Sequence, residues 1–195
     1  MGFWEGLLKF GNEYFSFSPN EFDMYKKELY DAFSKDNNKL FGNFSRKGFD
    51  VIFELLIGNA KESINIFCKN YDVLFDESNF ILLKFIAEKF ERTKGEIFIF
   101  TYGEEETNEK FIELEKNYLS VKYISAKFKD KDDESKEIKL NNAIVVDDKR
   151  YWLEDTIYNR NNLDDQIKAC CNFNDIRKCV EILTFINECR KKAAI

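Results

Sequence analysis

Histidine is missing: none occurs among the 195 residues of the chain. It is the side chain that titrates near neutrality and serves most often as general base and metal ligand, so every mechanism that needs it is excluded, hydrolysis by a serine or cysteine with a histidine base included. Glycine is sparse at 8 residues and forms neither GxGxxG nor GxxxxGK[ST], which leaves a dinucleotide site and a P-loop unsupported. The 5 cysteines (Cys68, Cys170, Cys171, Cys179 and Cys189) are odd in number and contain no CxxC pair. That usage points to buried, inert thiols in a reducing, cytoplasmic compartment rather than to disulfides, a redox couple or zinc. No signal-peptide pattern opens the chain. The longest apolar stretches, at 80–85 and 97–100, fall far short of the ~20 residues that span a bilayer, so a soluble protein is expected.

What is present is a chain of one-domain length, 44% apolar and 34% charged, the latter above the roughly 25% of an average globular chain. The 30 basic and 36 acidic side chains leave a formal net charge of -6. Such a balance disfavours sequence-independent binding of nucleic acid, where a basic face supplies the affinity. Only small basic clusters, Arg46-Lys47, Lys149-Arg150 and Arg190 to Lys192, offer local phosphate contacts. The first 17 residues are rich in aromatics (Phe3, Trp4, Phe10, Tyr14, Phe15, Phe17) with Lys9 as their one cation, which suits protein contact better than a membrane-surface helix.

Order along the chain predicts an α/β fold. Ser18-Pro19-Asn20-Glu21 has the form of a capping box with proline at the first helical position, and Phe22, Tyr25, Leu29 and Phe33 then recur at helical spacing. A second helix is expected from Ser45 to near Gly58, with Phe49, Ile52, Phe53 and Leu56 on one side. Strands follow at 63–68, 96–101 and 121–128, separated by helices over 79–91 and 104–118, a pattern that implies parallel pairing. The charged run 129–136 reads as a loop. Segments 138–146 and 150–153 flank Asp147-Asp148-Lys149 as a hairpin, 166–173 reads as a further strand, and a helix over 174–192 closes the chain. The expected architecture is a mixed, largely parallel sheet flanked by helices in a domain over 45–195, preceded by a helical, aromatic appendage over 1–44.

Carboxylates are the remaining chemistry. Asp147, Asp148 and Asp72, with Asp76, Glu154 and Asp155, follow strands and are expected near the carboxyl edge of the sheet, where ligands of open α/β folds gather. Oxygen-only clusters of this kind bind Mg²⁺ or Mn²⁺ and support phosphodiester hydrolysis, while the plainer reading makes Asp147-Asp148 turn residues.

The stretch Asn141-Asn142-Ala143-Ile144-Val145-Val146-Asp147-Asp148-Lys149-Arg150-Tyr151-Trp152, followed by Ala169-Cys170-Cys171-Asn172-Phe173-Asn174-Asp175, resembles the phospholipase D-like superfamily. In that family a strand carrying HxKxxxxD runs into a turn and a second strand, and a later strand presents an asparagine. With Asp147 as the motif's aspartate, Leu140 and Asn142 stand at the histidine and lysine positions; with Asp148, Asn141 and Ala143 do. The resemblance therefore implies the fold and a degenerate member without the family's phosphohistidine chemistry. It implies a non-catalytic module that binds a protein partner or itself, in a regulatory or assembly role within a bacterial mobile-element or phage-defence system. On that reading Phe3, Trp4, Phe10, Phe15 and Phe17 are the partner-binding residues and no cofactor is needed. Two alternatives stand beside it: a metal-dependent nuclease or phosphodiesterase using the aspartates with Mg²⁺ or Mn²⁺, and a nucleic-acid-binding accessory factor.

Overall fold

A computed structural model of the chain describes residues 18–43, 45–69, 76–102, 108–126, 140–155 and 169–193. The elements are α1 (Pro19–Ser34), β1 (Phe41–Asn43), α2 (Arg46–Gly58), β2 (Ser63–Cys68), α3 (Glu77–Thr93), β3 (Glu96–Tyr102), α4 (Glu109–Asn117), β4 (Val121–Ala126), β5 (Leu140–Val146), β6 (Arg150–Asp155), β7 (Ala169–Asn172) and α5 (Ile176–Ala193). Local chemistry starts the helices, α3 at Glu77 against an expected 79 and α4 at Glu109 against an expected 104. Ser18 closes a capping box, its N–H donating to the Glu21 carboxylate at 2.8 Å and its hydroxyl accepting from the Glu21 N–H. Ser45, Asp76 and Asn108 cap α2, α3 and α4 through their side-chain oxygens, each satisfying an N–H with no partner inside the helix. Lys94 ends α3 in the left-handed region, and at Gly95 an added Cβ would meet the Phe90 ring at 2.5 Å, so the turn into β3 admits no larger residue.

The strands form one seven-stranded mixed sheet in the order β1-β7-β6-β5-β2-β3-β4. β2, β3 and β4 pair in parallel, as the strand-helix alternation predicts, whereas β5 joins β2 antiparallel and β6, β7 and β1 continue antiparallel. In direction, β1, β2, β3, β4 and β6 agree, and β5 and β7 run against them. The hairpin appears as expected: Asp147 and Asp148 both take positive φ (51° and 54°), as a type I′ turn requires, and aspartate tolerates this better than most residues. β1 is a finding that periodicity does not reveal. Its three residues are too short to show a pattern, and they are ordered by pairing with β7, about 130 positions later.

Two cores lie on the two faces. On one, α1, α2, α3 and α4 cover Ile64, Ile66, Ile97, Ile99, Ile144, Val146, Trp152 and Cys171; Leu29 and Ala32 of α1 and Phe41 of β1 belong to this same core. On the other, α5 brings Cys179, Ile182, Ile186 and Cys189 against Phe67, Phe100, Val145, Tyr151, Leu153 and Cys170. Successive residues thus feed opposite cores, as the period of two demands; Cys170 and Cys171 point apart, as expected for adjacent strand residues. Each large apolar side chain so buried contributes about 1.5–3 kcal/mol. Among the described residues no helix is long and apolar enough to cross a membrane. The aromatic segment 1–17 lies outside the described residues.

Candidate functional site

The parallel strands β2 and β3 end at Cys68 and Tyr102, and β5 begins and β6 ends on the same side, because Asn142 pairs with Cys68 and Leu140 with Asp155. This carboxyl edge is where an open α/β sheet places its ligands. A register shift between Leu140 and Ala143 interrupts the β5–β6 ladder at this point, and such bulges re-aim side chains near functional sites.

Asn142 is fully buried and Glu154 nearly so, at 5% exposure. The Asn142 amide nitrogen donates a short hydrogen bond to the Glu154 carboxylate, and its oxygen accepts the Lys69 N–H at 2.9 Å. Beyond β2, on β3 and β4, the Thr101 and Tyr123 hydroxyls share a hydrogen bond of 2.9 Å, and the Tyr123 oxygen accepts the Asn108 N–H at 3.2 Å. Hydroxyl, amide and carboxylate groups at this edge hold one another and β-strand termini in place. An amide supplies no nucleophile or titrating proton. Asn142 is the residue that the sequence resemblance sets against the motif's lysine in the Asp147 register; the Asp148 register would set Ala143 there, which is buried in the α5-side core.

The sequence-derived acids separate. The Asp147 turn lies at the opposite, amino end of β2, since Val146 pairs with Ile64. There the Asp147 carboxylate accepts N–H groups from Lys61, Glu62 and Ser63 at 3.1, 2.8 and 3.2 Å, and the Arg150 guanidinium approaches at 3.3 Å. Its side chain and that of Arg150 are each only 8% exposed. Asp148 meets the Ser63 hydroxyl at 3.5 Å. Asp36, itself at positive φ (46°), receives Lys149 and Arg150 at 3.0 and 2.9 Å, and Arg150 also lies over the Phe33 ring. The hydrogen bond from Lys149, reinforced by Arg150, holds the Asp36 carboxyl below the ordinary carboxylate range. Asp76, by contrast, sits after β2 as the cap of α3 and pairs with Arg46 at 2.7 Å. Asp147 and Asp148 are therefore not brought together with Asp76 or Glu154, because antiparallel β5 carries the turn to the far end of the sheet. Asp72, Phe3, Trp4, Phe10, Phe15 and Phe17 lie outside the described residues. Among the described residues no three histidine, cysteine or acidic side chains group as a metal site.

All five cysteines are buried thiols outside any disulfide. Burial, with Asp175 and Asp148 adding to it, pushes the Cys179 thiol up to about 12. Burial also raises Cys171, with Cys170 beside it. Thiols so raised stay protonated and unreactive near neutrality.

The Asn142–Glu154 contact escaped the reading of the sequence, although the turn contains its signal: a hairpin that pairs Val146 with Arg150 carries position 142 towards position 154.

No protein-family model and no curated protein matches the sequence. Solved structures do. The archaeal chromatin protein TrmBL2, whose structure shows a novel mode of DNA binding, superposes with a TM-score of 0.55 at 11% identity; the match covers 97% of this chain and 65% of that one, so the chain spans about two thirds of its length. Nuc from Salmonella typhimurium, a phospholipase D family member, gives 0.53 at 12% identity over 77% of this chain and 92% of its own. NucT from Helicobacter pylori gives 0.50 at 13% identity over 77% and 95%. The fold is phospholipase D-like.

Proposed function

We propose that the chain is a non-catalytic phospholipase D-like domain that acts by binding, as a regulatory or assembly module. The observation that carries this reading is the Asn142–Glu154 pair: at the lysine position of the motif stands a buried amide already engaged by a carboxylate and by the Lys69 N–H. With no histidine anywhere, the covalent chemistry implied by the resemblance has no nucleophile. The partner is a protein or a second copy of the chain, and Phe3, Trp4, Phe10, Phe15 and Phe17 are its proposed contacts, since clustered aromatics anchor interfaces. A place in a bacterial mobile-element or phage-defence system belongs to the same proposal.

The metal-dependent alternative is weaker, because the Asp147 carboxylate is occupied by three backbone N–H groups and Arg150. An accessory role on nucleic acid has one supporting observation, the likeness to a chromatin protein described as binding DNA, and one against it, the net charge of -6.

The deciding experiment is tagged purification from the native host at moderate salt, with light-scattering mass and identification of retained molecules, alongside a phosphodiester hydrolysis assay with Mg²⁺ and Mn²⁺. A stoichiometric protein partner or a defined homo-oligomer, lost when residues 1–17 are deleted, supports the proposal. Emergence as a lone monomer, or turnover of a phosphodiester, overturns it. Oligonucleotide retained at low salt and released as salt rises would establish the nucleic-acid reading instead.

A further inference from the structure

β4 is the last strand of the sheet, and among the described residues it pairs only with β3. An open edge of this kind offers unpaired N–H and C=O groups to any extended chain. The Ile97 N–H donates to the Ser120 carbonyl at 2.8 Å, which fixes which residues of β4 turn inward. In a parallel ladder alternate residues bond the neighbour, so Lys122, Ile124 and Ala126 face β3, and Val121, Tyr123 and Ser125 direct their N–H groups outward. The first two of these three are engaged. The Val121 N–H donates to the Tyr118 carbonyl at 3.1 Å, within the turn that leads into the strand. The Tyr123 N–H, in mid-strand, donates to the Glu115 carboxylate at 2.9 Å. Just ahead of the strand, the Ser120 N–H donates to the Glu91 carboxylate at 2.7 Å. Two helices, α3 and α4, thus each send a glutamate to the approach and the middle of this edge.

We propose that Glu115 is an edge guard: by occupying the Tyr123 N–H it closes β4 to strand addition, the competing occupant being β4 of a second copy of this chain. The chemistry favours a second copy because the edge exposes Tyr123 and Ile124 in part, beside Leu119 at 92% exposure, so two such edges would bury matching apolar side chains as well as pairing backbone. A carboxylate is suited to the guarding role twice over. Its charge strengthens the bond to the N–H, and two copies brought edge to edge would oppose like charges. The proposal is independent of the aromatic segment and of whatever partner the domain binds, because it concerns which surface is kept closed.

The test compares full-length wild type, Glu115→Ala, Glu115→Gln and Glu113→Ala by light-scattering mass across concentration, with hydrogen exchange at the Tyr123 amide. Glu113 lies on the same exposed stretch of α4 and carries the same charge, but no hydrogen bond of its carboxylate to β4 is seen among the described residues. Glu115→Ala is expected to reach twice the wild-type mass as concentration rises, and at low concentration its Tyr123 amide should exchange at least tenfold faster. Glu115→Gln keeps an acceptor oxygen and is expected to stay near the wild-type mass, as is Glu113→Ala. The proposal is overturned if Glu115→Ala keeps both the wild-type mass and the wild-type exchange rate. It is equally overturned if Glu113→Ala associates as strongly, since net charge and not the guarded N–H would then control assembly.

Discussion

At the amino end of the parallel strands, charge is matched by charge: Asp147, Arg150, Asp36 and Lys149 form a chain of ion pairs that ties the hairpin turn to β2 and to the segment after α1. At the carboxyl end, Asn142 and Glu154 are buried more completely, and the Asn142 amide bonds the Glu154 carboxylate. Both ends give most of their buried polar groups partners, Arg150 Nε being an exception at the amino end, yet they do so with different consequences. The amino end fastens separate parts of the chain together. The carboxyl end fills the edge where an open α/β sheet places its ligands. An acid pair conspicuous in the sequence, Asp147-Asp148, turns out to serve the first purpose, and the pair that matters for the second joins two residues twelve apart.

The largest expected effect separates the ends most sharply. Asp147→Ala removes the acceptor of three N–H groups and one of the two carboxylates paired with the nearly buried Arg150, so unfolding in denaturant should show a loss of about 3 kcal/mol. A metal-free protein that tolerated this change without loss would break the assignment of Asp147 to structure. At the other end, Glu154→Leu leaves the Asn142 amide without its carboxylate and should cost about 1–3 kcal/mol by the same measurement. The double variant with Asn142→Leu should lose less than the sum of the two single losses, because each single change already removes the same Asn142–Glu154 bond; a simple sum would show that the pair is not coupled.

The smallest effect tests how exposed the amino-end network is at its rim. Asp36 is 47% exposed, so Asp36→Asn should cost only about 0–1 kcal/mol at neutral pH. The Asp36 carboxyl is held low, first by the Lys149 hydrogen bond. Its contribution is therefore complete above the usual carboxylate range near pH 4 and disappears as the pH falls through the lower folded value. Melting temperatures of wild type and variant should accordingly converge on acidification; a gap that widened at low pH would reverse the sign of this linkage.

Legibility follows the range of the interactions. The Ser18 capping box, the α2 stripe of Phe49, Ile52, Phe53 and Leu56, and the turn at Asp147-Asp148 were all readable, since each is set within a few residues by hydrogen bonding or periodicity. Strands β2 and β3 were readable for the same reason. β1 was not, because Phe41, Gly42 and Asn43 become a strand only through β7. The convergence expected of the acids failed on one point of direction: β5 enters the sheet antiparallel to β2, and this reversal carries Asp147 to the amino end while leaving Glu154 at the carboxyl end.

Taken alone, the amino-acid sequence determined the α/β class, the positions of most helices and strands, and the exclusion of histidine chemistry, because composition, spacing and capping act locally. Tertiary structure decided the order of the strands, the meeting of Asn142 with Glu154, the anchoring of Asp147 by Lys61, Glu62 and Ser63, and the guarding of Tyr123 by Glu115. The three-way grip on Asp147 spans some 85 positions of the chain. Contacts at that separation depend on which strands lie side by side, and the shared burial of the two cores, more than any local pattern, selects that arrangement.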